Sequence, residues 1–260
     1  MAASLDWVPV DTASATSTGH VTLVGGGPGE WDLLTIRGLR ALRAADVILT
    51  DHLGPAKQLA EFVDVDGKEI IDVAKLPYGK QVAQERINQL LVEHALAGRK
   101  VARLKGGDPH VFGRGYEELA ACATAGVACT VVPGVTSAIS VPAAAGIPVT
   151  ERGVNHAFTV VSGHLPPGHP KSLVDWGALA RTGGTIVVVM GVRNVRAIAQ
   201  SLVDAGLAAS TPAAAVQDGE TARQKVVAGS LGSLADDMER AGITSPAVYV
   251  IGEVAAHARP

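Results

Sequence analysis

From His20 onward the chain alternates short β-branched, apolar runs with longer amphipathic stretches, which predicts an α/β fold around a largely parallel sheet. "HVTLVGG" reads as the first strand. In "DLLTIRGLRALRAAD", Leu34, Leu39 and Leu42, with Ile36 nearby, suit one helix face, and the arginines fall elsewhere on its surface. The strand "DVILTD", the helix "PAKQLAEF", the strand "KEIIDV" and the long helix "VAQERINQLLVEHALAG" follow, with Gly98 as a C-terminal stop. "KVARLKGG" is then a strand, and the helix "YEELAACATAG" and the strand "ACTVVPG" complete a first half ending near Gly134.

The second half keeps the strand habit but changes its spacing. "TSAISVPAAAGIP" reads as a small-residue helix in which Pro142 removes a helix bond and marks a bend or boundary. "AFTVVSG", "TIVVVMG", "AAAVQDG", "QKVVAGS" and "AVYVIGEV" are strands, and only some are separated by helix-length segments. "AAAVQDGETARQKVVAGS" looks like two strands joined by a turn, which makes this sheet mixed. The expected organisation is a flexible tail over residues 1–18, an α/β domain over 19–133 and a second over 134–256. A cleft between two such halves is the natural place for a ligand.

Composition narrows the partners. At 260 residues and 47% apolar the chain can bury a sizeable core, and its net charge of −3 argues against a nucleic-acid or anionic-membrane binder. The tail "MAASLDWVPVDTASATSTGH" has neither the basic nor the apolar region of a secretion signal, and no apolar run is long enough to span a membrane. Cys122 and Cys129 lack metal-ligand or redox spacing and read as reduced thiols in a cytosolic protein.

Two glycine-rich stretches carry the chemistry. "VGGGPGE" follows the first strand, but its glycines at 25, 26, 27 and 29 miss the dinucleotide spacing, and Pro28 removes a donor that a phosphate cradle would use. "RLKGGDPHVFGRG" follows the fourth strand, and Asp108 there would repel a phosphate. Gly106 and Gly107 could present bare backbone to a ligand edge while Pro109 stiffens the exit. Asp108 suits a cation or a donor, or serves as a turn or cap residue.

These stretches, with "VVPGVTSAISVPAAAGIPVT", "VVSGH", "VVVMGVRN" and "VYVIGEV", resemble in order the successive signatures of the uroporphyrinogen-III C-methyltransferases, within the tetrapyrrole methyltransferases, from about His20 to Val254. The resemblance implies a two-domain α/β homodimer that folds S-adenosylmethionine into the interdomain cleft and releases S-adenosylhomocysteine. Cofactor positions carry over to Pro28, Gly106, Gly107, Asp108, Val111, Thr136, Ser137, Met190, Gly219 and Ala247. Asp51 matches the proposed proton acceptor and Lys75 the proposed proton donor. The implied reaction methylates uroporphyrinogen III twice to give precorrin-2, on the route to sirohaem and cobalamin.

A substrate rich in carboxylates calls for cations, and Arg103, Lys105, Arg114 and Arg152 are the candidates, with Lys80 and His52 as further options. Three departures bear on substrate and catalysis more than on cofactor. His52 stands where the family usually has arginine, an imidazole in place of a permanently charged guanidinium. Ala74 and Leu76 replace the glycine and arginine flanking the lysine, and His110 replaces an aromatic. A later precorrin as substrate therefore stays open, as do a nucleotide-binding oxidoreductase built on "GGGPGE" and a non-catalytic ligand-binding module. His164 and His169 lack a third ligand at metal spacing.

Overall fold

The computed structural model describes residues 19–73 and 84–259. The chain divides into two compact units between Val135 and Thr136. The tail expected over 1–18, and Lys75, Lys80, Ala74 and Leu76, lie outside the described residues.

The first unit runs β1 (His20–Gly25), α1 (Ile36–Ala44), β2 (Val47–Thr50), α2 (Leu59–Phe62), β3 (Glu69–Asp72), α3 (Gln84–Leu96), β4 (Lys100–Lys105), α4 (Gly115–Thr124) and β5 (Ala128–Val132). Its five strands are all parallel, in the order β3-β2-β4-β1-β5. Alternation along the strands divides the core between two faces. Val21, Leu23, Val47, Leu49 and Val101 pack with Ile87 and Leu91 of α3 and Cys122 of α4. Val24, Ile48, Ala102 and Leu104 pack with Leu42 of α1 and Leu59 and Phe62 of α2. Thr35 caps α1 by accepting from Gly38 N, and Gly98 stops α3 with φ +83°. Ile36, expected near the apolar face of α1, is 71% exposed, because the helix starts at this residue.

β1 and β4 are neighbours, yet the helices that follow them lie on opposite faces of the sheet. Chain leaving their carboxyl ends therefore departs in two directions and opens a crevice, the topological switch point at which α/β sheets hold ligands. Both glycine-rich stretches begin there.

The second unit runs α5 (Ser137–Ala144), β6 (Phe158–Ser162), α6 (Trp176–Thr182), β7 (Thr185–Val189), α7 (Val195–Asp204), β8 (Pro212–Gln217), β9 (Lys225–Ser230), α8 (Leu234–Arg240) and β10 (Ala247–Ile251). The sheet order is β6-β7-β10-β8-β9, with β6 and β7 parallel and every other pair antiparallel, so the expected mixed sheet is present. One face packs on α6, α7 and α8 and the other on α5. Pro142 sits inside α5, which ends two residues later, so the lost bond falls next to a helix boundary.

The carboxyl edge of the first sheet depends on backbone contact. A Cβ on Gly25 would meet Gly134 N at 2.4 Å, and one on Gly134 would meet Gly107 O at 2.3 Å. Main chain after β1, β4 and β5 therefore packs directly on itself. Gly134→Ala should cost about 1–3 kcal/mol, as overpacking against atoms that cannot rotate away does, read from denaturant unfolding; unaltered stability would show that this corner yields.

Candidate active site

Asp51 follows β2 and is partly exposed. Its Oδ1 accepts from Leu53 N at 3.0 Å, and its Oδ2 accepts from Arg103 Nη2 at 3.2 Å. The carboxylate is thus held from two sides. Next to it, a Cβ on Gly106 would lie 2.6 Å from Leu53 Cβ, so the turns after β2 and β4 are in contact. His52 lies alongside, its Nε2 3.3 Å from Asp72 Oδ2, with both side chains substantially exposed.

The turn after β4 is fastened to its neighbours. Gly27 and Gly107 exchange backbone bonds, at 3.3 Å from Gly27 N to Gly107 O and 2.8 Å from Gly107 N to Gly27 O. Asp108 uses both oxygens on backbone donors, Oδ1 from His110 N at 2.8 Å and Oδ2 from Gly134 N at 3.0 Å. It braces the loop after β4 to the loop after β5. Pro28 is half-buried, and Val111 is 39% exposed. Phe112 and Arg114 adopt φ of +55° and +59°, uncommon for residues with a Cβ.

The four candidate cations separate into two kinds. Arg103 and Lys105 are buried and engage carboxylates inside the protein: Arg103 Nε lies 3.2 Å and Lys105 Nζ 2.9 Å from Glu118 Oε1. Arg114 and Arg152 are exposed, and Arg114 pairs with Glu117 at 2.7 Å, a solvent-screened contact. Burial pushes the Lys105 ammonium below its ordinary range, helped by the neighbouring Arg103 charge and opposed by Glu118 and Asp51.

In the second unit, Met190 and Gly219 follow the carboxyl ends of β7 and β8, and Ala247 begins β10, which runs antiparallel to both. The register Val248↔Val189 and Ala247↔Gln217 sets all three at one edge of the sheet. Met190 is 48% exposed with φ +57°, so it is not core filling. Gly219 is buried against Val141 of α5, between Asp218 and Glu220, whose φ angles are +48° and +62°. Thr136 caps α5 by accepting from Ala138 N, and Ser137 is its first residue.

Sequence reasoning passed over Glu118, Gln84 and Gly134. The first had a signal: two cations alternating with apolar residues on a central strand require a buried anion nearby. His164 and His169 lie in the loop after β6, and among the described residues no three His, Cys, Asp or Glu side chains are placed to hold a metal ion. Cys122 and Cys129 are free thiols, and mutual hydrogen bonding together with burial pushes the Cys129 thiol upward. No helix among the described residues is long and apolar enough to cross a membrane.

Residues 20–235 match the family of tetrapyrrole (corrin/porphyrin) methylases. A siroheme synthase of Chromobacterium violaceum is 47% identical over 94% of this chain, which spans only 51% of that protein. An S-adenosyl-L-methionine-dependent uroporphyrinogen III methyltransferase of Methanosarcina barkeri is 42% identical, over 91% of this chain and 92% of that one. A Thermus thermophilus uroporphyrin-III C-methyltransferase, solved in complex with S-adenosylhomocysteine, superposes with a TM-score of 0.76 at 38% identity, covering 92% of this chain and 99% of that one.

Lys105 yields a pH test. A lysine whose folded value is lowered leaves the folded state with fewer protons than the unfolded state, between that lowered value and the ordinary 10.5. Stability therefore gains with rising pH across that window, and the penalty for burying the charge is in full force below it. Chemical unfolding of Lys105→Met should show a less positive slope of stability against pH there; an identical slope would mean that this ammonium is not desolvated.

Proposed function

This chain belongs to the tetrapyrrole (corrin/porphyrin) methylases, and on that premise we propose that it is an S-adenosylmethionine-dependent C-methyltransferase that methylates uroporphyrinogen III twice, giving precorrin-2 for sirohaem and cobalamin synthesis. The observation that carries the reading is the place of Asp51: a partly exposed carboxylate, fixed by Leu53 N and Arg103, in a turn that touches the Gly106 corner. A base belongs beside a methyl donor, because methylating a pyrrole carbon obliges a proton to leave the ring system.

In the first unit, Pro28, the bare-backbone Gly106-Gly107-Asp108 corner and the exposed Val111 suit a ligand with a sulfonium, an amino-acid end and an adenine. Thr136, Ser137, Met190, Gly219 and Ala247 are proposed as cofactor positions from their match to the family motifs. Bare main chain and exposed apolar side chains suit a nucleoside and a thioether better than a phosphate, whose charge Asp108 would oppose. When bound, S-adenosylmethionine supplies an electrophilic methyl on a good leaving group. The chain's own contribution is alignment, with Asp51 as the proton acceptor. Lys75 is proposed as the donor from its match to the family motif. Arg114 and Arg152, exposed to solvent, are the cations proposed to meet substrate carboxylates, since Arg103 and Lys105 are engaged inside. Cytosolic action as a homodimer completes the reading, supported by the family resemblance and by two free thiols.

Incubation with uroporphyrinogen III and S-adenosylmethionine should add one and then two methyl masses, and Asp51→Asn should lower kcat by about 10²-fold or more. Methylation of a different precorrin alone would move the chain elsewhere in the family. Calorimetry with S-adenosylhomocysteine should show Asp108→Ala binding more weakly than Asp51→Ala, because the Asp108 brace shapes the loops; equal affinities would refute that division.

A further inference from the structure

Central strands of a parallel sheet are covered on both faces and are ordinarily apolar throughout. β4 departs from this, burying Arg103 and Lys105, each 4% exposed, on the face that carries Val101. Glu118 of α4, fully buried, is what they meet. Its Oε1 accepts from Arg103 Nε at 3.2 Å, from Lys105 Nζ at 2.9 Å and from Gln84 Nε2 at 3.3 Å, while its Oε2 has no hydrogen-bond partner among the described residues. A buried carboxylate that concentrates its contacts on one oxygen is a poor stabilising device, and hydrocarbon of similar volume commonly serves a core as well or better.

The geometry of Arg103 gives the arrangement a purpose. A guanidinium is a rigid planar fork, so fixing two of its nitrogens fixes the third. Nε is held by Glu118, and Nη1 donates to Leu104 O at 2.7 Å. Nη2 is thereby directed at Asp51 Oδ2, 3.2 Å away. Among the described residues, the other charged groups near Asp51 are Lys105, on the same strand as Arg103, and the exposed His52–Asp72 pair.

We propose that Glu118 is a positioning residue for the methyl transfer: it fixes the plane of Arg103, which in turn holds the Asp51 carboxylate in the orientation that receives the proton. This rests on the reading of Asp51 as proton acceptor. It also gives Arg103 a role different from the substrate binding expected from sequence. A group that binds substrate carboxylates governs the KM for the tetrapyrrole; a group that aims the base governs kcat.

The test is steady-state kinetics on Glu118→Gln, with folding checked by thermal unfolding. Expected is a fall in kcat of roughly tenfold, with both KM values held within about twofold. In an Asp51→Asn background the same substitution should add almost nothing, since its effect passes through a group already removed. Losses that multiply, or a rise in the tetrapyrrole KM, would overturn the proposal. If Glu118→Gln does not fold, Lys105→Met/Glu118→Gln removes one charge of each sign and carries the same expectation. A crystal structure of Glu118→Gln without substrate reads the contact directly: the Arg103 plane should turn and its Nη2 contact to Asp51 Oδ2, 3.2 Å in the wild-type protein, should open, and an unmoved Arg103–Asp51 pair would overturn the proposal. Failure of the wild-type protein to methylate uroporphyrinogen III would count against the proposed substrate and leave this structure to decide the positioning role.

Discussion

Main chain packed on main chain at the carboxyl edge of the parallel sheet is the constraint on which the rest of the first unit depends. Gly25, Gly107 and Gly134 approach one another within distances that no Cβ would permit, and Asp108 ties the corner by taking Gly134 N on one oxygen and His110 N on the other. Since β1 and β4 sit at the switch point, whatever binds there meets backbone before it meets side chain. Such a wall is rigid, because it has no rotamers to lose, and it recognises by shape and dipole more than by charge. That suits a ligand whose sulfonium, ammonium and carboxylate are spread over its length and leave a single net positive charge.

Charge is handled one layer further in. An acidic chain that must bind a polyanionic substrate would be expected to place its cations outward. Here two of the four candidates point inward, where Glu118 and Asp51 neutralise them. Desolvation makes such a cluster costly and geometrically exact at once: fewer water molecules compete, so each donor angle matters more. The exposed pair Arg114–Glu117 is of the opposite kind, screened and exchangeable, and able to release its guanidinium to a better anion.

Much of this was legible in the residues. The strands were readable because β-branched runs bounded by glycine leave few alternatives, and the mixed second sheet followed from two strands too close for a helix between them. The glycine corner was legible as a break after the strand, but its cause was not: Gly106 reads as an opening for a ligand, whereas a side chain there would strike Leu53 from a different turn. Asp108 could be read as a cation partner or as a turn residue, and both its oxygens take backbone donors. Long-range contacts of this sort leave no local trace. Arg103 and Lys105 read as candidates for substrate carboxylates because charge type is local information and burial is not; only their alternation with Val101 hints at an inward face.

Backbone strain is distributed in the same way in both units. The described non-glycine residues with left-handed backbone are Phe112 and Arg114 after β4, Met190 after β7, and Asp218 and Glu220 after β8. Each follows the carboxyl end of a strand, and none lies within a helix or strand. Left-handed geometry costs a residue with a Cβ on the order of 1–3 kcal/mol, and it persists only where surrounding structure over-determines it. In the first unit that over-determination comes from the glycine corner and the Asp108 brace; in the second, from Gly219 wedged against Val141 and Gly191 against Tyr249. The two sheets differ in strand direction, so a shared habit of straining the loops at strand ends is not a by-product of topology. In both units the strained loops are those that carry or flank the positions proposed for the cofactor, Val111, Met190 and Gly219.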